Sequence, residues 1–241
     1  MDVVYPLANQ SANHDDFELR YSLRSLENQD WVDNVFLVGH KPLWAKNVIH
    51  IPCNDPYSNC KDANIINKIL RACFVPELSN EFVVNSDDQY FMRKVSEDEL
   101  MPMLERPGMI PEIKRKASVN NWHKRTMDSV YWCKVNKVPD WIFQSHCPYK
   151  VNKSKYGHSM LQIPWGKGNG FVTHIYFNLT LPEAPIVEPV GRTVRIKSPL
   201  VSGILRKTVQ GSTFLNHNNN GLNSHLKSFI MERFPNASRW E

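Results

Sequence analysis

The sequence predicts an α/β protein with a mostly parallel sheet flanked by helices, followed by irregular β and helical additions. Three observations carry that expectation. Short apolar runs alternate with amphipathic helical stretches over the first 93 residues, the signature of strands joined by crossover helices. The chain has 241 residues, 41% of them hydrophobic, enough for one sizeable core. Its 10 glycines and 16 prolines are scattered rather than periodic, which excludes collagen-like and low-complexity chains.

Each element has its own local reason. Val3-Val4-Tyr5-Pro6-Leu7 reads as a buried first strand. Leu19, Leu23 and Leu26 recur at helical spacing with Phe17 and Tyr21, so residues 17–29 form an amphipathic helix, with Asp15 or Asp16 as N-cap. Val35–Gly39 and Asn47–Pro52 are the second and third strands. Ile65, Ile66, Ile69, Leu70 and Cys73 share one face of a helix over 61–74. Phe82-Val83-Val84-Asn85 is the fourth strand and runs directly into Ser86-Asp87-Asp88-Gln89. Beyond residue 93 the pattern loosens. Residues 96–106 and 120–136 read as helices, 158–178 as loops with a strand near 171–177, 183–201 as an irregular β excursion, and 221–234 as a last helix.

Charge is unevenly spread. Residues 1–113 carry 10 basic and 18 acidic side chains, residues 114–182 carry 11 and 2, and residues 183–241 carry 8 and 4. The middle segment, with Trp122, Trp132, Trp141, Tyr149 and Tyr156 interleaved, suits a polyanion: lysines contact phosphates and aromatic faces stack on bases. Basic residues that merely balance the acidic half would look the same. The five cysteines form no CxxC pair, which argues against zinc and for reduced thiols in a cytoplasmic protein. No stretch of 18 apolar residues is present, and the N-terminus lacks a signal-peptide pattern, so no membrane span is expected.

Among chemistry-bearing groups, Asp87-Asp88 stands first. Two adjacent carboxylates at the carboxyl end of a buried strand sit where open α/β sheets bind ligands. Their mutual repulsion calls for a compensating cation, and hard ions such as Mg²⁺ or Mn²⁺ take one or two carboxylates plus substrate phosphates. An Asp pair after a strand also serves as a helix cap or solvated turn. His146, before a proline-fixed turn, is a candidate third ligand or acid/base group, or a structural histidine. Arg20 could grip a phosphate bidentately, or pair on the surface with Glu18 or Glu27. Asp62, Asn64 and Lys68 open the second helix, whose N-terminus favours anions. The Lys167–Gly170 loop is not a P-loop, and GxSxG, HExxH and GxGxxG are missing.

The residues Asp2–Tyr5, Glu18–Leu26, Trp31–Val38, Phe82–Gln89 and Ser145–Tyr149 resemble the blocks of the Stealth family of sugar-phosphate transferases. A second resemblance, through Tyr5-Pro6-Leu7, Asn47–Pro52, Lys61–Lys68 and Phe234–Glu241, is to short glycosyltransferase-like proteins common in phage and bacterial genomes. These resemblances imply a single GT-A-like domain over 1–241, with a donor-binding core at 1–93 and an acceptor-facing segment at 114–182. They imply a nucleotide-sugar donor and a divalent metal on Asp88, Asp87 and His146. Pro6, Leu7, Arg20, Asp62, Asn64 and Lys68 become donor-site candidates, and Arg125, Lys150, Lys153 and Lys155 acceptor-site candidates. Pro6-Leu7-Ala8-Asn9 stands where Stealth proteins usually carry Trp-Val-Asp-Gly, which favours simple glycosyl transfer over transfer of a sugar phosphate. Double-stranded DNA bearing 5-hydroxymethylcytosine is the expected acceptor, its base flipped out to expose the hydroxyl. The alternatives are a bacterial surface saccharide, as in capsule or lipopolysaccharide, and a non-catalytic nucleic-acid-binding protein.

Overall fold

The computed structural model describes residues 1–8, 15–57, 60–105, 121–165, 175–181, 183 and 185–241. Its central sheet has five strands in the order β3-β2-β1-β4-β6. β1 (Asp2–Leu7), β2 (Val35–Gly39), β3 (Ile49–Ile51) and β4 (Glu81–Val84) are mutually parallel, and β6 (Tyr149–Asn152) runs antiparallel against β4. A second sheet of three strands, in the order β5-β8-β7, is formed by β5 (Gln89–Phe91), β7 (Thr193–Ile196) and β8 (Phe214–His217).

Period-two alternation divides the first sheet's side chains between two cores. Val3, Tyr5, Leu7, Val35 and Leu37 pack with Leu19, Leu23 and Leu26 of α1 (Phe17–Leu26) and with the buried Trp240. Val4, Phe36, Val38, Phe82 and Val84 face Ile66 and Ile69 of α2 (Lys61–Cys73). That second layer continues through α3 (Asn121–Val135), α4 (Lys153–Gln162) and α5 (Ile175–Thr180), which supply Cys133, Tyr156 and Phe177. The small sheet packs its Tyr90, Ile196 and Leu215 on α6 (Ser202–Val209) and α7 (Ser224–Arg233). A doubly wound, mostly parallel sheet is therefore what the sequence encodes, with the expected additions behind it.

Several expectations fail for local reasons. Instead of a helix over 96–106, a single 3₁₀ turn spans Glu97–Leu100. Met101 is extended because Pro102 follows it, and Leu104 then bridges Phe143 and Val187. The strand expected near 171–177 is helical from Ile175 onward; residues 171–174, like the Lys167–Gly170 loop, lie outside the described residues. Periodicity cannot separate a short, fully buried helix from a buried strand, and Ile175, Tyr176 and Phe177 are all buried. The helix over 153–162 has a signal that was passed over: Asn152 caps it by accepting from Lys155 N at 3.0 Å. No disulfide joins any of the five cysteines.

Candidate active site at the carboxyl edge of the sheet

Because β1–β4 are parallel, Leu7, Gly39, Ile51 and Val84 end on one edge, and the next residues of β4 are Asn85-Ser86-Asp87-Asp88. β6 enters from this edge, since Val84 pairs with Tyr149, so His146 lies on the same side. Buried polar groups fix the acidic turn. Asn85 Nδ2 donates to Tyr5 Oη at 2.9 Å, and Tyr5 Oη lies 3.0 Å from Ser22 Oγ of α1. Ser22 Oγ donates to Gln89 O at 2.7 Å, and Ser86 N donates to Gln89 Oε1 at 3.3 Å. These hydrogen bonds tie β1, α1 and the end of β4 together around the acidic turn, while the buried Asn85 Oδ1 has no partner among the described residues.

The carboxylates it presents are not neutralised. Among the described residues no Lys or Arg lies within ion-pair distance of Asp87 or Asp88. Burial, and then the Asp88 charge beside it, push the Asp87 carboxyl up to about 6, with Lys61 opposing. Burial raises Asp88 as well, against Lys61, Asn216 and Arg195. Asn216 Nδ2 donates to Asp88 O at 3.1 Å, while Asn216 Oδ1 is buried and has no partner. His217 beside it is buried and held neutral, its imidazole pushed down to about 4 by loss of water, with Tyr90 Oη 3.0 Å from its Nε2.

The donor set suits a hard divalent cation. Two half-buried carboxylates short of positive charge and an orphaned carboxamide oxygen are oxygen ligands of the kind Mg²⁺ and Mn²⁺ accept alongside water and phosphate. Among the described residues no three His, Cys, Asp or Glu side chains converge, so the cluster is smaller than the three-residue set expected. His146 in particular is engaged elsewhere: Arg195 Nη1 donates to its Nε2 at 2.5 Å, which takes that lone pair from a metal or a proton.

The other candidates divide by place. Pro6 and Leu7 do end β1 at this edge. Gly39 beside them adopts φ +107°, and a Cβ there would stand 2.2 Å from Leu7 O and 2.9 Å from Lys68 Cε. Lys68 passes through that gap to pair with Asp55, and is only 2% exposed. Asn64 Oδ1 accepts from Tyr57 N at 3.1 Å and its Nδ2 donates to Tyr57 O at 3.0 Å. Asp62 pairs with Arg125, joining a donor-site candidate to an acceptor-site candidate across α2 and α3. These side chains brace the wall between β3 and α2 rather than reaching into open space.

Arg20 is placed differently from the phosphate-gripping role expected. It donates to Glu241 Oε2 at 2.9 Å and lies 4.2 Å over Trp44. The acceptor lysines are also on the wrong side. Lys150 leans to Glu81 at 3.7 Å, and Lys153 Nζ donates to Val75 O at 2.7 Å and Leu78 O at 2.9 Å, at the opposite edge of the sheet. Lys155 lies there too, in the first turn of α4. Lys114, Arg115, Lys116 and Lys167 lie outside the described residues. The residues that sequence reasoning passed over, Arg195, Asn216 and His217, come from β7 and β8. One signal was available: Phe214-Leu215-Asn216-His217 ends an apolar run on polar ligand-type residues, as Val83-Val84-Asn85 does before the Asp pair.

A parallel sheet ending in an Asp pair, with a small second sheet laid over its carboxyl edge, defines the GT-A type of glycosyltransferase fold. Solved structures share it. Galactosyltransferase LgtC in complex with donor and acceptor sugar analogues matches over 99% of this chain and 98% of its own, with a TM-score of 0.56 at 8% identity. An active-site mutant of LgtC matches over 97% and 95%, with a TM-score of 0.54 at 9% identity. The bifunctional glycosyltransferase WbbM matches over 98% of this chain and 49% of its own, with a TM-score of 0.50 at 10% identity. Identities this low establish the fold. No family model matches the chain and no curated protein matches its sequence, so the Stealth resemblance rests on its short motifs. None of the described helices is long and apolar enough to cross a membrane.

Proposed function

We propose that this chain is a nucleotide-sugar-dependent glycosyltransferase that moves a sugar to an acceptor hydroxyl at the carboxyl edge of its sheet. The observation that carries the reading is Asp87-Asp88 held rigidly at that edge, short of positive charge and next to the unpartnered Asn216 Oδ1. Asp88, Asp87 and Asn216 Oδ1 would hold Mn²⁺ or Mg²⁺, which when bound offsets charge on the donor's diphosphate. In the transfer, the bond from the anomeric carbon to the diphosphate oxygen breaks, the acceptor oxygen bonds to that carbon, and its proton passes to the departing diphosphate oxygen. The diphosphate leaves with the electron pair.

The chain's own residues prepare that step. Tyr5, Ser22 and Asn85 fix the acidic turn before substrate arrives, which is electrostatic preorganisation. Lys68 and Asn64, through Asp55 and Tyr57, shape the wall beyond Leu7 and Gly39 where the nucleotide would lie. His146 acts as a fixed acceptor for Arg195 instead of as a base.

For the acceptor we favour a saccharide hydroxyl. LgtC, which shares the fold, was solved with donor and acceptor sugar analogues, and Lys153 and Lys155 lie at the far edge, where a DNA duplex would miss the Asp pair. The test is a panel of nucleotide sugars with Mn²⁺ or Mg²⁺, offered bacterial surface saccharides or hydroxymethylcytosine DNA, with products read by mass spectrometry. Metal-dependent donor cleavage and a saccharide heavier by one sugar are expected. Labelled DNA nucleosides would move the acceptor to DNA and leave the transferase. Failure to cleave any donor with either metal would overturn the reading.

A further inference from the structure

The strand register assembles a row across the second sheet that neither the Asp pair nor its wall accounts for. Gln89 of β5 pairs with Asn216 of β8, which pairs in turn with Arg195 of β7. Side chains in register share a face, and three strands span about 10 Å, within reach of an arginine side chain. Arg195 therefore belongs to the same surface as Asn216, whose carboxamide touches Asp88 O.

What Arg195 does with its charge is unusual. Among the described residues no carboxylate lies within ion-pair distance of it, and the partner it has is a neutral imidazole nitrogen, His146 Nε2 at 2.5 Å. An imidazole that accepts at Nε2 carries its proton on Nδ1, so the pair is an arginine held in place by a histidine. Asp88 and Glu105 both stabilise the guanidinium charge from a distance, and Lys61 is the other cation felt by the Asp pair.

Charge balance identifies the ligand. Lys61 lies near both carboxylates and Arg195 near Asp88, neither in contact, so a divalent cation held by the Asp pair leaves the two cations and the metal in excess over two carboxylates. A neutral sugar cannot cancel them, and a diphosphate can. We propose that Arg195 is a donor-site residue that binds the diphosphate of the nucleotide beside Asp88, and that His146 is the positioning residue that aims it. This rests on the transferase reading and names the group that grips the donor. Arginine suits the task because its planar fork takes two phosphate oxygens at once.

The test is equilibrium binding with the full chain in Mn²⁺, using UDP, GDP, CDP and ADP and the corresponding monophosphates. For whichever diphosphate wild type binds, Arg195→Ala is expected to weaken it roughly 10- to 100-fold. The monophosphate should lose less, so the preference for diphosphate collapses. Arg195→Lys should retain part of the affinity as a point charge. His146→Ala should weaken diphosphate binding, His146→Gln should recover most of it by offering an amide oxygen to Arg195, and the double alanine variant should bind no worse than Arg195→Ala. Unaltered diphosphate affinity in Arg195→Ala, or in Arg195→Gln if the alanine variant does not fold, would overturn this assignment and leave the transferase standing. Wild type that binds none of the four diphosphates would overturn both.

Discussion

The two edges of the central sheet treat a buried aspartate in opposite ways. At the amino edge, Asp2 is buried and its carboxylate is saturated: Ser79 N and Oγ each donate to Oδ2 at 2.7 Å, and Asn34 N and Nδ2 donate to Oδ1 at 3.2 and 2.9 Å. At the carboxyl edge, some four residues of strand away, Asp87 and Asp88 repel each other with no cation in contact among the described residues. Burial pushes both environments toward the protonated acid, yet Asp2 ends below the usual carboxylate range because four donors outweigh burial, and Asp87 ends at about 6. One edge satisfies its polar groups and holds the fold together. The other leaves them unsatisfied, which is the cost of keeping a binding site ready.

The sharpest way to break that comparison is to exchange charge for amide at the carboxyl edge. Asp88→Asn is expected to lower transfer by about 10²–10³-fold or more, measured as donor turnover in Mn²⁺. Its thermal midpoint should hold or rise by a few degrees, because one of two repelling carboxylates is gone. A variant that loses stability in step with activity would make the Asp pair an ordinary structural turn.

The mirror experiment is Asp2→Ala. It leaves two backbone N–H groups and two side-chain donors without their acceptor, and should cost about 3 kcal/mol in denaturant unfolding. Turnover per folded molecule should stay near wild type. Parity between Asp2→Ala and wild type in stability would remove the contrast between the edges.

A smaller effect is expected from Lys153. Its ammonium closes the carbonyls of Val75 and Leu78 just beyond the end of α2, so Lys153→Met should cost about 1–2 kcal/mol. Transfer should not change, since this amine lies at the amino edge. Loss of transfer in a folded Lys153→Met protein would bring the acceptor back to the basic segment.

How much of this was readable in the sequence follows the same division. The four parallel strands, both crossover helices and the Asp pair were legible because their apolar periodicity and the abrupt polar ending of β4 are local signals. Arg195, Asn216 and His217 were not, because they become a site through the register of β8 between β5 and β7, and its pairing with β5 joins residues more than 100 positions apart. Asp62, Asn64 and Lys68 were found by position, but their partners within the fold were not. A helix N-terminus signals anions, and nothing local reveals that Arg125, Tyr57 and Asp55 already occupy those side chains. The partner of Arg20 was hidden for the same reason, since Glu241 lies 221 residues away. Buried Asn178, in Asn178-Leu179-Thr180, which has the form of a glycosylation sequon, shows the converse: its carboxamide accepts from Trp141 N and donates to Trp141 O, both at 3.1 Å, so it is a core brace.

The finest test of the contrast is pH. Asp2 has a folded pKa below its unfolded value near 3.8. Between the two values the unfolded chain binds a proton that the native chain does not, so stability falls as pH drops through that window. Above about pH 5 both states are ionised at this group, and the contribution is constant and fully present. Asp2→Asn has no proton to bind, so its stability should decline less steeply than wild type between about pH 4 and pH 2. The two curves should run parallel from pH 5 to 8, offset by whatever the lost charge-assisted hydrogen bonds are worth. Urea midpoints taken at half-unit intervals would resolve this. Curves that stay parallel down to pH 2 would mean that Asp2 is not held ionised by Ser79 and Asn34, and the amino edge would then resemble the carboxyl edge more than its hydrogen bonds imply.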